Sequence, residues 1–212
     1  DCLLSRGLGD VYKRQISSRL TTNLLVCRVL EMKANNTSEE IINCARSLIV
    51  SGGYNGFSYA DISKVVGVRN ATIHHHFPTK SNLVRTLIVN YRWEVQLGMA
   101  ELERNVPEPV EQLRAYIQYW ESCIADGTAL FCICALLATQ LPALPEEVAL
   151  EVSAHFRTLA DWLSSVLERG VANGSIRLTA PARDEAEGFM ATVHGAMPVS
   201  YTHLRAHETR GN

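Results

Sequence analysis

Between Arg69 and His76 the chain places Arg69, Asn70, Thr72, His74, His75 and His76 within eight consecutive residues, with Ala71 and Ile73 the apolar members and no acidic group among them. Every polar member is a hydrogen-bond donor or a mixed donor and acceptor. Arg and Asn can make paired hydrogen bonds to guanine and adenine edges respectively. The Thr72 hydroxyl and the three imidazoles can bond phosphate oxygens. Lys80 falls in the first turn of the next expected helix, where a cation opposes the helix dipole unless an anion such as phosphate lies there as well. This is chemistry for recognising nucleic acid. Three consecutive histidines also raise the question of a metal. On a helix they radiate about 100° apart, and no Cys or carboxylate follows four residues on along the same face, so neither a metal nor any other cofactor is expected.

The flanking residues say what must position these groups. Ser58 can cap a short helix whose apolar residues Ile62, Val65 and Val66 share one face. Gly67 supplies a tight turn, and Val68 is expected to return to the core. A second short helix then starts near Arg69 and turns Ile73 and Phe77 inward. Pro78 stops it, and Thr79 or Ser81 caps the next helix. Helix, glycine turn, helix is the helix-turn-helix arrangement, whose second helix enters the major groove of DNA. The competing account of the spacing is an ordinary helical corner with a solvated polar face.

The stretch from Phe57 to Lys80 resembles the DNA-binding segment of the TetR/AcrR family of bacterial transcriptional regulators. The resemblance rests on Ser58, Ile62, Val66, Gly67, Val68, His74, His76, Phe77 and Lys80, and the layout from Met32 to Met197 follows the family as well. It implies DNA contacts from Ser58, Arg69, Asn70, Ala71, Thr72, His74, His75, His76 and Lys80. His74 departs from the pattern, standing where the family usually has a phosphate-contacting tyrosine. Imidazole N–H can still donate, but its charge changes near neutral pH, so operator affinity is expected to depend on pH. The family further implies a homodimer whose two reading helices enter successive major grooves of a palindromic operator, with half-sites about one helical turn or a little more apart. A small-molecule effector in the body would tilt the helix that follows the head and release the DNA.

The 212 residues have a near-neutral net charge of −2, which taken alone argues against DNA binding. The distribution reverses that. Met32 to Arg92 holds seven Lys/Arg against three Asp/Glu, a net of +4, whereas Trp93 to Pro198 holds six against fifteen, a net of −9. A basic head on an acidic body is what a DNA reader with a DNA-avoiding body requires. No apolar run is long enough to span a bilayer, so no membrane partner is expected, and the cytoplasm is the expected compartment.

Both ends are set apart. Asp10 to Gln15 and the tail from Pro198 resemble translated adapter or cloning sequence, and Met32 is the expected true start. The division is then a leader at 1–31, a helix-turn-helix domain at 32–78, an effector-binding and dimerisation body at 79–197, and a tail at 198–212. A basic minor-groove arm using Arg14, Arg19 and Arg28 is the other account of the leader. The helix opening at Ala182 is expected to be cut off in mid-pattern at Met197, which would weaken dimerisation.

The periodicity is helical throughout, and no strand or repeat is expected. A helix from Thr37 buries Ile41, Ile42, Ala45, Leu48 and Ile49, and Gly52-Gly53 ends it. A long helix from Thr79 to about Asn105 carries Leu83, Leu87, Val95, Leu97 and Leu102. Val110 to Asp126 turns Leu113, Ile117, Trp120 and Ile124 inward, and Gly127 ends it. Leu130 to Leu141 is nearly all apolar and expected to be buried, and a further long helix runs from Pro145 to about Ala172. The fold class is all-α.

Trp93, Tyr116, Trp120, Phe131, His155 and Trp162 are candidates to line an effector site, with Phe156, Phe189 and His194 beside them, although aromatic residues at helical spacing more often simply pack as core or interface. Of six cysteines, Cys123, Cys132 and Cys134 fall in the body. Cys132 and Cys134, expected on one helix, point about 200° apart and cannot bridge each other, and nothing basic flanks these thiols to lower a pKa. Redox or electrophile sensing is the second functional reading, and it would need Cys123 to meet Cys132 or Cys134 across helices. A helical enzyme or an interaction scaffold is the third, and no nucleophile elbow, phosphate loop or His-Glu-x-x-His supports an enzyme.

Overall fold

The structure is a computed structural model that describes residues 37–125 and 132–208, with side chains described to residue 200. The leader at 1–31 with Arg14, Arg19 and Arg28, the cysteines Cys2 and Cys27, and Asp126, Gly127, Leu130 and Phe131 lie outside the described residues. Eight α-helices are described: α1 (Thr37–Gly52), α2 (Tyr59–Val66), α3 (Asn70–His76), α4 (Lys80–Asn105), α5 (Pro109–Ala125), α6 (Ile133–Ala138), α7 (Glu146–Ala172) and α8 (Ala182–Glu208). Short 3-10 turns fall at Tyr54–Gly56 and Leu141–Ala143. Among the described residues there is no strand. The all-α expectation holds.

The chain divides into two compact units after Glu40. Of the first, only Thr37 to Glu40 is described, the opening turn of α1, where Glu39 and Glu40 suit the positive end of the helix dipole. In the second, Ile41, Ile42, Ala45 and Ile49 recur at helical spacing and are buried. They meet Ile62 of α2, Ile73 of α3 and Phe77, which closes the three-helix head. The same apolar core continues without a break through Leu83, Leu87 and Ile88 of α4 to Trp120, Cys134, Leu137, Val148 and Met197. A second core gathers Met99, Leu159, Trp162, Leu163, Val166 and Ala186 further along the body. The helix α7 is the hub, packing against α4, α5, α6 and α8.

Several side chains differ from their expected placement. Val65 is 68% exposed and Leu97 is 52% exposed, so each lies outside the apolar stripe of its helix. Periodicity fixes a helix's apolar arc but not how far round it a partner reaches. The apolar stretch from Leu130 is only briefly helical, over Ile133–Ala138, and Leu141 is 38% exposed. The last helix does not stop at Met197 but continues to Glu208 with Pro198 inside it. A proline there has no N–H to give and crowds the carbonyl of His194.

Candidate nucleic-acid interface and the histidine cluster of the body

The reading surface is built locally. Ser58 directs its N–H (2.8 Å) and its hydroxyl (2.7 Å) to the Asp61 carboxylate, which starts α2 and draws the Asp61 pKa below its ordinary value. Gly67 takes the left-handed conformation (φ 78°) and gives its N–H to Ser63. The Ser63 hydroxyl reaches across the turn to the Val68 carbonyl at 2.5 Å. Arg69 precedes α3 in extended backbone. With Ile73 and Phe77 locked inward, Arg69, Asn70, Ala71, His74 and His75 are exposed, and Thr72 and His76 are half-buried. Tyr59, whose burial pushes its pKa up to about 12, donates its hydroxyl to the Phe77 carbonyl at 2.8 Å. The His74 ring stands edge-on to Tyr59 at 4.7 Å. These ties hold α3 at a fixed angle on the head.

Thr79 caps α4 by accepting from the Asn82 N–H at 3.1 Å. The Lys80 ammonium donates to the Phe57 carbonyl and lies over the Phe57 and Tyr54 rings, 4.1 and 4.9 Å from their centroids. Burial lowers its pKa somewhat. Lys80 thus clasps the turn before α2, whatever else it meets.

Behind the head, the body gathers aromatic and imidazole groups. The Tyr116 hydroxyl lies 2.9 Å from His194 Nε2. Tyr116 packs on Trp162 and on Phe189 at 6.0 and 6.1 Å, and His194 stands against Trp120 and Phe156 at 6.0 and 5.6 Å. His155 neighbours Phe156 and Tyr91, both at 5.3 Å. Burial holds Tyr116 protonated and lowers the His194 pKa. Trp162 Nε1, His155 Nδ1 and His194 Nδ1 are buried with no hydrogen-bond partner among the described residues, a cost that a polar ligand atom would relieve.

Residues 41–87, from within α1 to the start of α4, match the family model of bacterial regulatory proteins of the tetR family. The chain is 63% identical to a solved TetR-family transcriptional regulator from Agrobacterium tumefaciens, covering 79% of this chain and 88% of that one at a TM-score of 0.77. The chain belongs to the TetR family. It is a DNA-binding transcriptional regulator. It is also 26% identical to the HTH-type transcriptional regulator CymR of Pseudomonas putida, over 74% of each chain. AibR, solved in complex with isovaleryl coenzyme A and operator DNA, shares the fold at 22% identity and a TM-score of 0.60, covering 74% of this chain and 84% of that one.

Within this TetR-family framework, Tyr116, Trp120, His155 and Trp162 fall in the body cluster with His194, Phe156 and Phe189. Trp93 does not; it is 61% exposed on α4, a correction to its expected place in an effector site. Phe131 is not among the described residues. The cysteine geometry is a second correction. Cys132 precedes α6 with ψ 122° instead of sitting on the helix, and Cys134 is on it. A helical residue has ψ near −42°, so the Cys132 side chain is swung to the side its helical placement would have denied it. His155 Nε2 lies 3.8 Å from Cys132 Sγ, so a basic group does face that thiol. Sequence reasoning missed Tyr91, Gln140 and Arg46. The Tyr54 N–H donates to Gln140 Oε1 at 2.9 Å, and Arg46 pairs with Glu94 at 3.0 Å. Nothing in the local pattern of Gln140, 86 positions from Tyr54, announces that bond.

Proposed function

We propose that this regulator is a repressor, released from a palindromic operator when a small molecule occupies the body cluster. The DNA contacts are Arg69, Asn70, Ala71, Thr72, His74, His75 and His76 of the reading helix, with Ser58 and Lys80 at the starts of α2 and α4. Asn70 and Arg69 read base edges, and the hydroxyl, imidazole and ammonium groups hold phosphate. The effector contacts are Tyr116, Trp120, His155 and Trp162, joined by His194 and Phe156. Their aromatic faces suit an apolar ligand body, and the unpartnered ring nitrogens suit one or two polar atoms on it. The working species is a homodimer, because one rigid pair of heads can register only one half-site spacing. Its compartment is the cytoplasm, where the operator is. Among the described residues no helix is long and apolar enough to cross a membrane.

The observation that carries this reading is the pair of links between body and head. Gln140, just past α6, holds Tyr54 of the head, and Glu94 of α4 holds Arg46 of α1. A ligand that shifts α4 or α6 must shift the head, and differential affinity for the two arrangements makes that shift an equilibrium. Selection of bound duplexes from a random library, with the oligomeric state followed alongside, tests it. The expected outcome is enrichment of a palindrome by a dimer, followed by loss of binding to that duplex with an active compound. No enrichment from a folded dimer refutes the assignment.

A further inference from the structure

We propose that Cys132 and Cys134 are a peroxide-reactive pair, which closes to a disulfide with His155 as proton donor and shifts the head through α6. The pair is set up by geometry. Only Ile133 separates them, and it is helical, so their Cα atoms stand about 5.4 Å apart, within the 4.4–6.8 Å that a disulfide spans. Both side chains are buried in the same apolar core, beside Leu137. His155 Nε2 lies 3.8 Å from Cys132 Sγ and the Tyr91 hydroxyl donates to the same sulfur at 3.5 Å. Burial raises a thiol pKa, yet the Cys134 S–H and the His155 imidazole together draw Cys132 well below the ordinary value, while burial and the neighbouring sulfur push Cys134 well above it. One sulfur is the nucleophile and the other its resolving partner.

The oxidant must be small. Cys132 is 1% and Cys134 0% exposed, which suits hydrogen peroxide, close to water in size, and excludes bulky oxidants. In the first step Cys132 passes its proton to His155 Nε2 as its sulfur attacks one peroxide oxygen and the O–O bond breaks. The departing hydroxide takes that proton back and leaves as water, and Cys132 becomes a sulfenic acid. In the second step Cys134 gives its proton to the now neutral His155, and its sulfur attacks the Cys132 sulfur. The S–O bond breaks and the hydroxide leaves as water with that proton. Two thiols lose two electrons, and one peroxide becomes two waters.

The consequence for the head follows from what flanks the pair. Drawing the sulfurs to bonding distance pulls the start of α6, and Gln140 lies two residues beyond its end, bonded to Tyr54. Tyr91, which donates to Cys132, also carries the Arg46 guanidinium over its ring at 5.5 Å. Release of DNA on oxidation rests on the proposed repressor function; the chemistry does not.

The test treats the full chain with hydrogen peroxide and reads it by peptide mass. The peptide holding Cys132 and Cys134 should lose two hydrogens. Cys132→Ser should abolish this, Cys134→Ser should halt at a sulfenic acid trapped by a dione reagent, and His155→Gln should slow it about tenfold or more. A peptide that stays reduced while Cys44 or Cys123 oxidises overturns the proposal, as does equal reactivity in His155→Gln. Hydrogen exchange at the Tyr54 amide, faster after oxidation, reads the shift of the head without DNA; unchanged exchange overturns that half. Affinity for the selected duplex should fall at least tenfold in the oxidised chain. A reduced chain that binds no duplex would refute the repressor assignment alone, with mass and exchange still deciding this one.

Discussion

Asn70 and Lys80, ten positions apart across a helix and a turn, differ in kind as well as in place. Asn70 is exposed at the start of α3, with an amide that matches an adenine edge. Asn70→Ala is expected to relax base preference at one operator position, costing about 1–3 kcal/mol there and leaving the salt dependence alone. Lys80 is already spent partly on Phe57 and Tyr54. Lys80→Ala should therefore lower the melting temperature as well as weaken binding to every sequence, with a salt slope shallower by about one. Titrations at several salt concentrations on matched and mismatched duplexes separate the two; identical behaviour would contradict the division of roles. His194 makes a different prediction. Burial lowers its pKa from 6.5, with Cys132 opposing and His155 adding to the shift, so the fold refuses a proton that the unfolded chain accepts. Stability is then complete above about pH 6.5 and is lost as pH falls toward the depressed folded value. Thermal melts across mildly acidic pH should show this slope in the native chain and a flatter one in His194→Gln. At this scale the donors of α3 were legible because their neighbours in sequence are their neighbours in space. Cys132 was not, because its partners Tyr91 and His155 lie 41 and 23 positions away.

Among the elements, the turns carry the sharpest test. Gly53 and Gly67 both take positive φ, 71° and 78°. At Gly67 an added Cβ meets open space, whereas at Gly53 it would lie 2.1 Å from Gln140 Nε2. Gly67→Ala should cost only the left-handed penalty of about 1–2 kcal/mol. Gly53→Ala should cost that and also drive Gln140 off the Tyr54 amide. Gly53→Ala with Gln140→Ala should then cost less than the sum of the two single changes, measured by urea unfolding. Strict additivity would mean that Gln140 does not press on the turn. The glycines were legible as helix stops from sequence. The partner that makes one of them obligatory was not, since side-chain reach across 87 positions leaves no periodic trace. The same limit explains Val65, Leu97 and Trp93, where a helix could be assigned correctly and its unpartnered edge still misplaced.

For the molecule as a whole, the unbroken core from Ile41 through Leu87 to Cys134 and Met197 ties the reading head to the upper body. The sequence suggested a head ending near residue 78 and a body beyond it. The packing draws no boundary there: one apolar core crosses that point, and the second core begins further along the body. Thermal unfolding should be a single transition, with far-ultraviolet ellipticity and Tyr54-side probes melting together. Two resolved transitions would show that the head folds by itself. All-α class and element order were legible because each helix declares its own period. The sharing of one core was not, because it depends on which faces meet.

Trp93 is the surface tryptophan at 61% exposure, while Trp120 and Trp162, at 6% and 9%, line the body cluster, and the sequence contains no others. The protein is therefore its own fluorescent reporter. Iodide should quench Trp93 and spare the other two, and in a Trp93→Phe chain nearly all emission comes from the cluster. A compound that occupies it must then change the brightness or colour of that emission. Candidate effectors can be screened by light alone, before the operator is known. A compound whose signal disappears with Trp93→Phe has bound somewhere else.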